Sequence, residues 1–382
     1  MTIGENRTQK RKINSLILCF WVLCFVPNQK NNSFKNPFKN LKNMAFTQGL
    51  CQKLQQDLTS VAGQNAPSLK RDKVGYLDAL MSDENRSGFE AIQVPTDGKS
   101  RMVQITYIQR GTDDSVNLTC TNSCETEQEI APLETIFQVT NCIETKGMKF
   151  SEDQMRKLCE ADSVYVSNVI MSQMNAINVA LDKQLLTAQS TNFGKFADGT
   201  SKKDIQLFEA TTNAPRSIAA AQISSYYEQT GASGAPIIIG SGNMDLYAKT
   251  QKIACCNSFG VDMSRWTDYM YFNDRFVESV IGAGEFIVIA PNAVQLVTWN
   301  KYVGPYAKRN DVFEHGTITD PFTGLTYDLK VHYDDCADEW SIKLQLNWGI
   351  FFIPANAFAA TDDNFGVNYT FNFGDCSTIA DC

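Results

Sequence analysis

The densest group of reactive side chains is His332-Tyr-Asp-Asp-Cys336-Ala-Asp-Glu339, with an imidazole, a thiol and the carboxylates of Asp334, Asp335, Asp338 and Glu339 close together. Such oxygens suit a hard cation, but the glycine-bearing loop of an EF-hand is missing. A Cys336/His332 nucleophile pair is weaker still, because four residues along a strand set two side chains more than ~10 Å apart. The simpler reading is a solvated turn between two strands. Gly231-Ala-Ser-Gly234 and Gly282-Ala-Gly284 lack the lysine of a phosphate loop and the spacing of a dinucleotide fold, and read as connections.

Composition narrows the chemistry further. His315 and His332 are the only histidines, which counts against hydrolase or metalloenzyme chemistry at neutral pH. The 12 cysteines contain no CxxC pair and no zinc spacing, so no structural metal is expected. They read as reduced, partly buried thiols, with disulfides formed after release from a cell as the alternative. Net charge is −8, but residues 1–43 carry eight Lys or Arg against one acid, Glu5. The rest of the chain is strongly acidic and a poor electrostatic partner for nucleic acid, which needs clustered cations to displace counterions. A protein that surrounds DNA without gripping it tolerates this balance.

The elements that must position these groups are long. Ser151-Glu-Asp-Gln154 is a capping box, and apolar residues then recur at Met155, Leu158, Val166, Ile170, Met174, Ile177, Leu181 and Leu185. This predicts one helix from 151 to about 190, roughly 60 Å long. A second helix is expected from Ala214 to about Gln229, capped by Asn213 with Pro215 in its first turn. Ala235–Gly240 reads as a buried strand, followed by a helix over 241–253. Phe286–Ala290 is a short strand, and Ala293–Trp299 fits helix or strand equally well. The clearest strand is Trp340–Phe352, apolar at every second position with Ser341, Lys343, Gln345 and Asn347 between, about 45 Å long.

Nearer the start, Phe46–Glu90 reads as an arm rather than a core element. From Ala91 to about Asn141 the pattern is strand-like. Val103, Ile105 and Tyr107 alternate with Met102, Gln104 and Thr106, with turns at Asp97-Gly98 and Gly111–Asp114. A hairpin of this kind, polar on at least one face, needs another surface to lie on. Residues 1–43 stand apart. Ile13–Val26 resembles a signal-peptide core, is short for a membrane span and lacks a small-residue cleavage site. Met44-Ala45-Phe46-Thr47 reads as an ordinary start, so residues 1–43 are taken as a leader or a translated upstream region.

This order of parts resembles the capsid fold of tailed bacteriophages, the Hong Kong 97 type also found in the herpesvirus capsid floor. The stretches most similar to the family are Asp274–Val280, Phe286–Tyr302 and Ile318–Asp328, leading into the alternating strand. The resemblance implies an α+β chain with an N-terminal arm (44–90), an extended loop (91–142) and a peripheral domain with its spine helix (143–234). An axial domain (235–338), then a return strand and the C-terminal part of the peripheral domain (339–382), complete it. It further implies a major head protein that is not an enzyme and takes no cofactor. Such a protein self-assembles into hexamers and pentamers of an icosahedral shell, with other phage head proteins as partners. The shell encloses double-stranded DNA without sequence-specific binding, is assembled in the host cytoplasm and ends in the virion, away from any membrane. Intersubunit contacts are expected at Lys99, Arg101, Tyr107 and Arg110. Some relatives fuse subunits through a Lys–Asn bond, for which Lys99 would be the lysine. Two other classes stay open. One is an exported surface or adhesion protein with disulfides, and the other is a carboxylate enzyme built on Asp334, Asp335, Asp338 or Glu339.

Overall fold

The computed structural model describes residues 56, 58, 59, 71–86, 90–93, 101–107, 133–160, 165–194, 202–209, 211–229, 235–253, 270–301, 314–353 and 368–372. The chain divides into residues 1–44 and 45–382, and all the described residues belong to the second unit. The expected leader and the turns at Asp97-Gly98 and Gly111–Asp114 lie outside the described residues, as do Lys99 and Arg110.

After two short helices, Gly75–Met81 and Asp83–Arg86, comes an antiparallel ribbon of β1 (Glu90–Gln93), β2 (Met102–Tyr107) and β3 (Leu133–Gln138). β4 (Asn141–Glu144) and β5 (Met148–Ser151) lead into the helices Glu152–Glu160 and Tyr165–Ser190. The second half adds β6 (Lys202–Asp204), helix Ser217–Glu228, β7 (Ile237–Gly240), helix Gly242–Ile253, β8 (Met270–Asn273) and helix Val277–Val280. It closes with β9 (Glu285–Ile289), β10 (Val294–Trp299), β11 (Glu314–Thr319), β12 (Thr326–Asp334), β13 (Glu339–Phe352) and β14 (Asn368–Asn372). The architecture is α+β, and no helix among the described residues is long and apolar enough to cross a membrane.

β13 organises the larger sheet. Its 14 residues pair on one edge with β12 and then β10, and on the other with β5 and then β4, all antiparallel. Only a strand of this length can carry two neighbours end to end on each side, which is why the alternating run had to be so long. A second sheet has the order β6-β14-β9-β7-β8, with parallel pairing at its β6–β14 and β7–β8 steps. All five residues of β9 and all four of β7 are buried. Apart from Glu285 at the start of β9, which pairs with Lys202, these strands carry no charge, and burial of successive residues signals a sheet covered on both faces.

The helical stripe forms as the periodicity requires. Val166, Ile170, Met174, Ile177, Leu181 and Leu185 are all buried in the main core. The capping box is made: the Ser151 N–H donates to Gln154 Oε1 at 3.0 Å, and the Gln154 N–H donates to Ser151 Oγ at 3.3 Å. Of the helix expected over 151–190, the described residues give Glu152–Glu160 and Tyr165–Ser190, with 161–164 outside the described residues; the longer segment has 26 residues, about 39 Å.

Two further expectations are corrected or decided. The second helix begins at Ser217, not Ala214. Asn213 sits at a φ of 52° in a tight reversal in which the Glu209 N–H donates to the Ala214 carbonyl and the Arg216 N–H to the Leu207 carbonyl. Pro215 bridges Phe208 there instead of opening the helix. Of residues 293–299, Val294–Trp299 resolve as strand, because β10 finds its partner in β13. Within the stretch read as an arm, Val74, Tyr76, Leu77, Ala79, Leu80 and Asn85 are all buried. The seven-residue helix Gly75–Met81 is too short for its periodicity to announce burial. Its burial depends on contacts with the helix Tyr165–Ser190 far along the chain.

Candidate functional site

The ribbon is the feature most suited to act outside its own chain, and its base shows how it is held. Side chains alternate across the register. One face turns Val103, Ile105, Tyr107 and Phe137 inward, onto Val297, Trp299 and Phe351 of the larger sheet. Phe137 meets Phe351 edge-on at 5.8 Å between centroids, and Tyr107 meets it at 6.2 Å. Gly349 lies beneath the Phe137 ring, and a Cβ there would come within 2.9 Å of Cζ. The glycine in the middle of β13 therefore makes room for the aromatic that anchors the ribbon.

The opposite face of the ribbon presents Ile92, Gln104 and Ile136, which the pairing places in one row across the three strands. Ile92 is 54% exposed and Ile136 67% exposed. Gln104 Nε2 donates to Glu134 Oε2 at 2.8 Å, beside that row. Of the four contact residues expected from sequence, Arg101 and Tyr107 are described. Arg101 precedes β2 and its carbonyl accepts the Val139 N–H at 2.8 Å. The Tyr107 ring is half-buried against Phe351, so it belongs first to the ribbon's base.

The acidic turn is a hairpin loop between β12 and β13. Asp334 pairs with Glu339 across it, and Asp334 Oδ1 accepts the N–H groups of Cys336 and Ala337 at 3.0 and 3.3 Å. Asp338 takes the left-handed conformation at a φ of 52° and accepts the Tyr333 hydroxyl. This hydrogen bond, more than anything else, pushes the phenol up to about 12. Glu339 takes Lys149 Nζ at 2.9 Å. Asp334 and Asp338 thus serve to close an exposed turn. Among the described residues no group of three or more His, Cys, Asp or Glu could hold a metal ion.

Two polar networks were not legible in the sequence. On the face of β13 that carries Gln345 and Asn347, both side chains are buried, although alternation alone would have put them in water. Gln345 Nε2 donates to Asn347 Oδ1 at 3.1 Å, and Asn347 Nδ2 donates to the Trp299 carbonyl at 3.2 Å. Asp328 Oδ2 accepts the Lys301 N–H at 2.9 Å in the same group. Nearby, Lys343 and Lys330 approach Glu144 at 3.3 and 3.6 Å.

The second network ties the long helix to the β11–β12 turn. Asn178 Nδ2 donates to Asp320 Oδ2 at 2.7 Å, and the Tyr327 hydroxyl donates to Asn178 Oδ1 at 2.5 Å. Asp320 also accepts the Phe322 N–H at 2.8 Å, closing the turn at Gly324, whose φ is +72°. Burial raises the Tyr327 phenol well above its ordinary range, so it remains a donor.

No family model and no curated protein matches the chain. Among solved structures it is similar to the capsid of a native GTA particle, with 8% identity, 81% of this chain and 94% of that one covered, and a TM-score of 0.42. It is similar to a chain of the cyanophage A-1(L) capsid asymmetric unit at 11% identity, with 79% and 93% covered and a TM-score of 0.41. It is also similar to the capsid of Ralstonia phage GP4 at 9% identity, with 81% and 92% covered and a TM-score of 0.38.

Proposed function

We propose that this chain is the major capsid subunit of a tailed bacteriophage, self-assembling into an icosahedral shell around double-stranded DNA. The observation that carries the reading is the ribbon. It is anchored at its base by Phe137 and Phe351, yet its outer face leaves Ile92 and Ile136 largely exposed. Apolar side chains aligned across a ribbon gain stability only when another surface covers them, and a second copy of the chain supplies one. The long helix and the 14-residue β13 form a rigid base on which such a ribbon can bear load between subunits.

In this reading Lys99, Arg101 and Arg110 lie along the contact, and Tyr107 contributes the edge of its ring. Hexamers and pentamers are the expected oligomers, other head proteins the expected partners, and the virion the final location after assembly in the host cytoplasm. The acidic balance beyond residue 43 suits a wall that encloses DNA without sequence-specific binding. The subunit performs no chemistry of its own.

Electron microscopy and sedimentation of the full-length chain test the proposal. Rings, tubes or closed shells tens of nanometres across are expected. A folded species that stays monomeric at high concentration, even with the other head proteins present, overturns it.

A further inference from the structure

Helix Gly75–Met81 begins without a cap of its own: Val74 precedes it and offers no side-chain hydrogen bond. The first N–H groups of a helix need acceptors. Here they come from two aspartates far along the chain. Asp274 Oδ2 accepts the Tyr76 N–H at 2.9 Å, and Asp182 Oδ1 accepts the Leu77 N–H at 2.8 Å. Asp274 Oδ1 is occupied by the Phe276 N–H at 2.8 Å. Both aspartates are buried, and Asp182 Oδ2 finds no N–H or O–H donor in the protein. Tyr76 and Leu77 are consecutive, so the two carboxyls that cap them lie side by side in the interior. Two buried carboxyl groups in that position attract rather than repel each other only when one keeps its proton. Gly75 completes the close fit, since a Cβ there would lie 2.5 Å from the Asn273 carbonyl oxygen.

We propose that Asp182 and Asp274 share a single proton, and that this proton clamps helix Gly75–Met81 between the helix Tyr165–Ser190 and the end of β8. The Oδ2–H of Asp182 donates to the Asp274 carboxylate. Losing that proton to solvent leaves two buried anions side by side, and the helix that caps itself on them loosens.

The surroundings fit this role. Burial first, then the charge of Asp274 and the hydrogen bond to it, push the Asp182 carboxyl up to about 9, with the Leu77 N–H acting the other way. Asp78, on the docked helix, adds negative charge, while Arg71 pairs with Asp78. The charge of Asp320, after β11, also acts on Asp78, and Arg275 pairs with Asp72 at 3.4 Å. Lys183, next to Asp182 on its own helix, lies over the Phe276 ring. Tyr76 is held protonated by burial and donates its hydroxyl to Gln189 Oε1 at 2.8 Å.

The sign follows from proton counts. Asp182 starts from an ordinary value of 3.8, so between that pH and about 9 the folded chain holds a proton that the unfolded chain has released. Stability therefore falls as pH rises through that window and levels off above it. Asp182→Asn keeps an acceptor for Leu77 and a donor for Asp274 but has no proton to lose.

Urea unfolding of the full chain and of Asp182→Asn across pH 5 to 8 tests the clamp. The unfolding constant of the wild type should rise relative to the variant by up to about tenfold per pH unit. A ratio that stays constant over that range overturns the proposal. Hydrogen exchange of the wild type gives an independent answer. After correction for intrinsic rates, the Tyr76 and Leu77 amides should lose protection with rising pH faster than those of Ile177 to Leu185. Parallel losses would again overturn it.

Discussion

The ring of Phe137 occupies the space that a side chain at Gly349 would need, and this single overlap sets how the ribbon meets the larger sheet. Phe137 lies on β3 and Gly349 on β13, and the ring also packs edge-on against Phe351. Gly349→Ala must therefore displace an aromatic that is already in contact on its other side. A loss of about 1–3 kcal/mol is expected in urea unfolding. Phe137→Leu in the same chain should recover part of the loss, which a double-mutant cycle would register as coupling between the two sites. Simple additivity would contradict this account.

Ile136→Asp separates folding from assembly. The side chain is 67% exposed, so the change should alter the stability of the isolated subunit by no more than about 0.5 kcal/mol. Sedimentation should nevertheless show particles replaced by small species, because a charge would be carried into the subunit contact. Normal particles from Ile136→Asp and Ile92→Asp alike would remove the ribbon's outer face from the contact.

Gly75→Ala brings a Cβ against backbone, at 2.5 Å from the Asn273 carbonyl oxygen and 2.6 Å from its carbon. Backbone cannot swing aside as a side-chain tip can. A cost of about 2–3 kcal/mol is expected despite the better helix propensity of alanine. Circular dichroism during thermal unfolding would show it as a lowered midpoint.

Asn85 is buried and joins two segments more than 200 residues apart in sequence. Its Nδ2 donates to the Val294 carbonyl at 2.8 Å, its Oδ1 accepts the Asn292 N–H at 3.0 Å, and its own carbonyl accepts Gln295 Nε2 at 2.5 Å. Asn85→Ala removes the buried partner of the Val294 carbonyl and the acceptor of the half-buried Asn292 N–H, and should cost about 2–4 kcal/mol in urea unfolding. Asn85→Asp restores only the acceptor and should be no better.

Ser151→Ala removes one half of the capping box and is expected to cost about 1 kcal/mol. Gln154→Ala removes the other half, and the double variant should lose less than the sum of the two, since each side chain caps the other's N–H. Differential scanning calorimetry on the three variants would resolve this.

Local pattern determined much of this protein by itself. The capping box, the stripe from Val166 to Leu185, the β2 alternation and the extent of β13 all follow from repeats of 3.6 or 2 residues. The same residues reveal the solvated character of the turn at Asp334–Glu339, because adjacent carboxylates resist burial. Other features were decided by pairing and packing between distant segments. Val294–Trp299 became a strand because β13 offered an edge, and Gln345 and Asn347 became interior because Asp328, Trp299 and Cys142 satisfied them. Helix Gly75–Met81 entered the core because Asp182 and Asp274, more than 100 residues beyond it, supply its missing acceptors. Periodicity records which face of one element is apolar, whereas the acceptor that rescues a buried N–H, or the ring that fills the space above a glycine, exists only once two elements meet.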